Sequence, residues 1–210
     1  GIPAPNFNPL LVDLVAHFPL DSDGNSTNGN FTASTVTDVE FGSDAAPGLS
    51  GTSATFNGSS SLIQHDWSAD LNPAGSFTLT VWAKSSGGAG AWNSPVTSRH
   101  DLNTQTAESQ GYLIYDNETA GAGTSSSGNG TDPGNWQTLD GPEVNLDEWE
   151  HVAIVYDDDA KTKKLYVNGA LAVESEDSVA ENDTTPFNIG AGEDTGTGFH
   201  FKGDLDDIAL

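Results

Sequence analysis

The chain has no cysteine and no methionine, and only six of its 210 residues are lysine or arginine. Without thiols there are no disulfides, no thiolate nucleophile and none of the usual structural zinc sites. Six cationic residues face 31 carboxylates, a formal net charge of −25. That balance leaves too few phosphate-neutralising groups for an open nucleic-acid-binding face, and it disfavours an anionic membrane surface. No charged-then-apolar leader and no bilayer-length apolar run occurs, so no membrane insertion is expected. The lack of methionine, with Gly1 first, suggests a mature or excised piece of a longer, multidomain protein. The acidic excess favours solubility and offers oxygen ligands for a hard cation such as calcium. A solvated acidic surface accounts for most of these carboxylates.

What is present reads as sheet. Hydrophobic residues make up 35% of the chain, including 9 Phe, 5 Trp and 4 Tyr, enough for a sizeable core. The 24 glycines are scattered through turns. Residues 149–169, WEHVAIVYDDDAKTKKLYVNG, hold two apolar, β-branched segments, His151–Tyr156 and Lys164–Val167, around the polar run Asp157–Lys163. A helix would need apolar residues every three or four positions across that run; the pattern predicts a hairpin, closed by the turn pair Asn168-Gly169. Phe77–Ala83 is the clearest single strand, with Phe77, Leu79, Val81 and Ala83 on one face and Trp82 on the other. Residues 54–64, around Asn57-Gly58, read as a second hairpin, Val36–Phe41 as one short strand and Thr119–Asn135 as a long polar loop. Gly1–Pro9, with three prolines, reads as an arm. About ten to thirteen short strands and no convincing helix predict one all-β domain over 10–210, a sandwich of two antiparallel sheets.

Several segments together resemble the laminin-G-like branch of the concanavalin A-like lectin and glucanase jelly rolls. They are LVAHFPLDSDGNSTNG (14–29), ATFNGSSSLI (54–63), FTLTVWAKS (77–85), GYLIYDN (111–117), WEHVAIVYD (149–157), LYVNG (165–169), FNIGA (187–191) and FKGDLDDIAL (201–210). The resemblance implies a jelly-roll β-sandwich of the kind that serves secreted enzymes, adhesins and receptors as a carbohydrate- or protein-binding module. It does not fix one ligand. It also implies a structural calcium between the early loop, the turn of the F-N-G segment and the closing G-x-x-D-D strand: Asp21, the backbone of Gly58, and Asp206. Asp23 and Asn25 are further candidates from the same loop, which lacks full EF-hand spacing.

A saccharide site needs an aromatic face for the sugar's C–H surface and planar polar groups beside it. Trp92 and Trp136 lie in or beside glycine-rich loops, which favours exposure; Tyr112, Arg99 and His100 are the other primary candidates, with Asp101 and Asn103 as a polar rim. Trp82 and Trp149 fit strand packing. Jelly-roll glycosidases set two carboxylates about 5–9.5 Å apart across a cleft, typically from an E-x-D-x-x-E strand, and the chain has no such segment. The five histidines form no H-x-x-x-H pair, Ser59–Ser61 form no G-x-S-x-G elbow, and the glycine-rich stretch 121–130 lacks a phosphate-loop lysine. The expectation is therefore no enzyme but a calcium-stabilised, carbohydrate-binding, secreted or cell-surface module. The alternatives are a protein- or peptide-binding adhesion domain and a structural spacer.

Overall fold

The computed structural model describes residues 13–88, 92–103, 108–116, 119–125, 136–192 and 198–210; within these, 101–103, 108, 119–125 and 136 are described by backbone alone. The expected arm and residues 10–12 lie outside the described residues. Among the described residues, fifteen strands form two antiparallel sheets. In chain order they are β1 (His17–Phe18), β2 (Thr35–Thr37), β3 (Glu40–Asp44), β4 (Thr52–Asn57), β5 (Leu62–His65), β6 (Phe77–Ser85), β7 (Asn93–Asn103) and β8 (Glu108–Asp116). There follow β9 (Thr119–Ser125), β10 (Trp136–Glu143), β11 (Glu150–Asp157), β12 (Thr162–Val167), β13 (Ala170–Glu176), β14 (Phe187–Ile189) and β15 (Lys202–Ala209). One sheet runs β13-β12-β11-β6-β15-β4-β3 with β1 beside β15; the other runs β10-β9-β8-β7-β14-β5-β2. This is an all-β jelly-roll sandwich.

The period of two places one set of side chains between the sheets. Leu79, Val81, Val152, Ile154, Tyr156 and Leu205 of the eight-stranded sheet meet Ile63, Val96, Tyr112, Ile114, Leu139, Phe187 and Ile189 of the other. Each large apolar side chain buried this way contributes about 1.5–3 kcal/mol. The chain's two described ends close the sandwich together: the Val15 amide donates to the Leu210 carbonyl (2.8 Å) and the Leu210 amide to the Ala16 carbonyl (3.0 Å).

The predicted hairpin is β11–β12, in register from Val152↔Val167 to Asp157↔Thr162. Asn168 and Gly169, at φ of 50° and 78°, then turn the chain from β12 into β13, as positive φ at both central residues requires. Strand β12 begins two residues before the apolar segment, which carries Lys163 into the interior. Its ammonium is fully buried and pairs with Asp177 at 3.5 Å, and burial lowers its pKa.

Three sequence expectations are corrected. The segment 54–64 is not a hairpin: β4 pairs with β15 and β3 in one sheet, β5 with β14 and β2 in the other. The Asn57 side-chain oxygen, which accepts the amides of Ser59, Ser60 and Ser61, caps a turn that crosses between sheets. Val36–Phe41 is likewise split between β2 and β3, with Asp38 at φ 47° at the break. Thr119–Ser125, expected as loop, is β9, paired on both sides; the rest of that expected loop, 126–135, lies outside the described residues. Both β9 neighbours supply backbone partners, so a strand poor in apolar residues still satisfies its amides and carbonyls.

Candidate functional site

The outward face of the seven-stranded sheet follows from register. Ile114 and Leu139 point into the core, so Leu113 and Tyr115 of β8 and Thr138 and Asp140 of β10 lie on the opposite face, where Thr138 and Asp140 are exposed and Leu113 and Tyr115 are buried. Across the strands the pairing aligns Asp140, Gly121 and Tyr115 in one row and Thr138, Gly123 and Leu113 in the next. The two glycines have no side chain, so the Tyr115 side chain can reach across Gly121 to β10. The Tyr115 hydroxyl donates to the exposed Asp140 carboxylate at 2.5 Å. Burial, then the hydrogen bond and charge of Asp140, raise the Tyr115 pKa, which keeps the phenol a donor. Thr138 also donates to Asp140, at 3.2 Å.

Trp92 stands beside this row. It is 37% exposed, adopts φ 62°, and meets the Tyr115 ring edge-on with centroids 4.8 Å apart. The Ser94 hydroxyl donates to the Trp92 carbonyl at 2.9 Å and fixes the start of β7. An exposed indole and an exposed carboxylate thus stand on either side of Tyr115, whose own side chain is only 2% exposed. That combination offers a stacking surface and hydroxyl-accepting oxygens.

The other sequence candidates are placed as follows. Arg99 also faces outward; its Nη1 donates to the Gly192 carbonyl (3.1 Å), and its guanidinium lies 5.4 Å from the Phe199 ring centroid. His100 Nδ1 lies 3.2 Å from Gln110 Oε1, 3.1 Å from Thr184 Oγ1 and 3.7 Å from Asp183. Arg99 and His100 begin seven residues from Trp92 along β7, roughly 20 Å of strand. Tyr112 is corrected: it is buried in the core, packs its ring at a tilt against Phe77 with centroids 4.8 Å apart, and donates its hydroxyl to the Leu71 carbonyl at 2.7 Å. A one-residue step along β8 separates it from Tyr115, and that step changes the face. The side chains of Trp136, Asp101 and Asn103 lie outside the described residues. Trp82, half-buried on the outer face of the eight-stranded sheet, meets the His151 ring at 5.2 Å. Asp140 and Tyr115 were missed by sequence reasoning; the alternation in GYLIYD marks two apolar faces of β8 without saying which one faces out.

Among the calcium candidates, Asp21 and Asp206 come together around the 46–52 segment. Asp21 accepts the Thr52 amide at 2.6 Å, and a Cβ on Gly51 (φ 101°) would overlap its carboxylate. Asp206, only 3% exposed, accepts the Ala46 amide at 2.8 Å. Burial raises its pKa, and the charges of Asp207 and Asp21 add to the rise. Asp207 itself is paired with His17 at 2.5 Å. The other members of the set are elsewhere. Gly58 donates to the Phe201 carbonyl at 3.0 Å, beside Lys202, about four residues or roughly 13 Å along β15 from Asp206. Asp23 accepts the Asn25 amide, and Asn25 accepts the Ala33 amide, so both close turns of their own loop. Among the described residues no three His, Asp or Glu side chains gather to hold a metal.

Residues 56–210 match the family model of laminin G type described as the concanavalin A-like lectin/glucanases superfamily. The chain belongs to that superfamily. Solved structures similar to it share the fold. A carbohydrate-binding module, CBM40, of a Ruminococcus gnavus IT-sialidase bound to α2,3 sialyllactose is 18% identical, with a TM-score of 0.58 over 75% of this chain and 87% of that one. Domain 4 of AbnA, a GH43 extracellular arabinanase from Geobacillus stearothermophilus, in complex with arabinotriose, is 21% identical, with a TM-score of 0.60 over 93% and 90%. The ligand-binding domain of botulinum neurotoxin serotype D, in complex with N-acetylneuraminic acid, is 14% identical, with a TM-score of 0.61 over 94% of this chain and 47% of that one. No curated protein sequence matches the chain.

Proposed function

We propose that this superfamily member is a carbohydrate-binding module of a larger extracellular protein, without catalytic chemistry of its own, and that calcium braces its fold. The observation that carries the binding site is the exposed pair of Trp92 and Asp140, linked through the buried Tyr115, whose ring meets the indole and whose hydroxyl bonds the carboxylate. The three similar structures, each solved with a saccharide, support the ligand class, and the secreted or toxin origin of two of them supports an extracellular address. Large apolar side chains exposed among the described residues, Val36, Trp67, Trp92, Leu146 and Leu171, sit on separate elements. Trp92→Ala removes the stacking surface at an exposed position; it is expected to weaken binding to the glycan found by screening at least tenfold, with the melting temperature unchanged. Unaltered affinity would move the site elsewhere.

Calcium fits Asp21 and Asp206. The buried Asp206 carboxylate pairs with no Lys or Arg among the described residues, and the Asp21 charge adds to its raised pKa. Asp21 and Asp206 would hold the ion, completed by backbone oxygens of the adjoining 46–51 turn, since calcium takes roughly six to eight oxygens. The ion supplies charge neutralisation between β15, β4 and the early loop. Calcium at 100 times its dissociation constant is expected to stabilise the fold by about 2.7 kcal/mol, a gain that chelator reverses and Asp206→Asn abolishes. A melting curve indifferent to both chelator and added calcium contradicts this part of the account.

A further inference from the structure

The distribution of charge between the two sheets bears on which saccharide the site accepts. Five of the six cationic residues, Lys84, Lys161, Lys163, Lys164 and Lys202, lie on the eight-stranded sheet or its β11–β12 hairpin. Four of them meet carboxylates there: Asp204 at 2.9 Å, Asp158 at 2.5 Å, Asp177 at 3.5 Å and Glu174 at 3.4 Å, respectively. The seven-stranded sheet carries Arg99 alone. That guanidinium is held against the Gly192 carbonyl and the Phe199 ring.

At the site itself the polar group is an anion. Asp140 is exposed on β10, and the two hydroxyls that reach it, from Tyr115 and Thr138, bring no positive charge. Each carboxylate oxygen has two acceptor positions. One hydrogen bond to each oxygen therefore leaves room for two sugar hydroxyls, as charge-assisted bonds shorter and stronger than neutral ones. A carboxylated sugar seated on Trp92 would instead bring a second anion to Asp140 in a chain of net charge −25. Like charges at such separations disfavour binding, and the effect grows as the site loses water.

Resting on the reading of this face as a saccharide site, we propose that its ligand is an uncharged glycan whose hydroxyls donate to Asp140, and that acidic sugars are rejected there. The site then differs in ligand charge from the sialoside complexes among the similar structures and agrees with the arabinotriose complex.

The test is a printed array of neutral, sialylated and uronic-acid glycans, followed by calorimetry of the intact chain with the strongest neutral hit, lactose and 3′-sialyllactose. The expected result is a neutral hit whose acidic derivatives bind at least tenfold more weakly, with affinity insensitive to added sodium chloride. Asp140→Asn should weaken that hit at least tenfold, with the circular dichroism spectrum retained. Acidic glycans bound as tightly as neutral ones overturn this inference and leave the carbohydrate-binding reading in place. So does a neutral hit lost in Trp92→Ala and kept in Asp140→Asn. No glycan bound by the folded chain overturns both.

Discussion

Replacing Gly203 by alanine is expected to unfold the protein or bring it to the edge of unfolding. Gly203 sits in β15, paired with Phe56 on one side and Ser85 on the other, in the centre of the eight-stranded sheet. Its φ is 141°, and an added Cβ would overlap the Lys84 carbonyl oxygen and lie 3.1 Å from the Ser85 Cα. Those atoms are backbone of the neighbouring strand, so relief requires the strands to part. Conformational strain and steric overlap together should cost at least about 4 kcal/mol, much of the stability of an ordinary domain. Gly169→Ala is the matched control. Gly169 also has positive φ, at 78°, but nothing lies within 4 Å of its missing Cβ, so the expected cost is about 1 kcal/mol. Urea denaturation of the two variants separates steric closure from backbone preference: equal losses would show that β15 and β6 are not packed this closely.

Asn182→Ala should produce the next largest loss. Asn182 is 1% exposed and joins three elements through one amide. Its nitrogen donates to the Thr185 carbonyl (2.9 Å) and lies 3.1 Å from Ser98 Oγ and 3.2 Å from Asn72 Oδ1, which the Ser98 hydroxyl also bonds. Its oxygen accepts the amides of Thr184 and Thr185, at 3.2 and 3.0 Å. Alanine leaves several buried groups without partners at once. Each costs about 1–3 kcal/mol, and with some relaxation the total should be about 3 kcal/mol. For a chain of this length that lowers the melting temperature by roughly 6–12 °C. The network lies at the His100 end of β7, away from Trp92, so glycan affinity of the folded variant should match the parent's. A shift below about 2 °C would mean the network is replaced by water at little cost.

The superfamily and the sandwich were legible in the sequence because their signals are periodic and local. The alternation in Phe77–Ala83 and His151–Tyr156 marks the faces of β6 and β11, and Asn168-Gly169 meets the φ demands of its turn. Sheet membership was less legible. Asn57-Gly58 announces a turn correctly, yet a turn signal does not say whether the next strand pairs with the last or crosses to the opposite sheet. Strand β9 was hidden because TAGAGTS has almost no apolar content; its place is set by β8 and β10 on either side. Asp21 and Asp206, joined by motif order in the sequence, both bond the 46–52 segment, while Gly58 lies about four residues of strand from Asp206. At the proposed site, exposure of Trp92 followed from its glycine-rich surroundings. The place of Tyr115 beneath it did not, since Leu113 and Tyr115 are as apolar as Tyr112 and Ile114, and only the packing of Ile114 and Tyr112 in the core decides which pair lies on the other face.

The measurement that bears most directly on the central claim is binding of the intact, folded chain to a broad array of plant, algal, microbial and animal glycans in calcium-containing buffer, with Trp92→Ala run alongside. The account predicts selective binding by the parent chain and its loss in a Trp92→Ala variant that melts at the parent's temperature. A folded parent chain that binds no glycan on the array would contradict it.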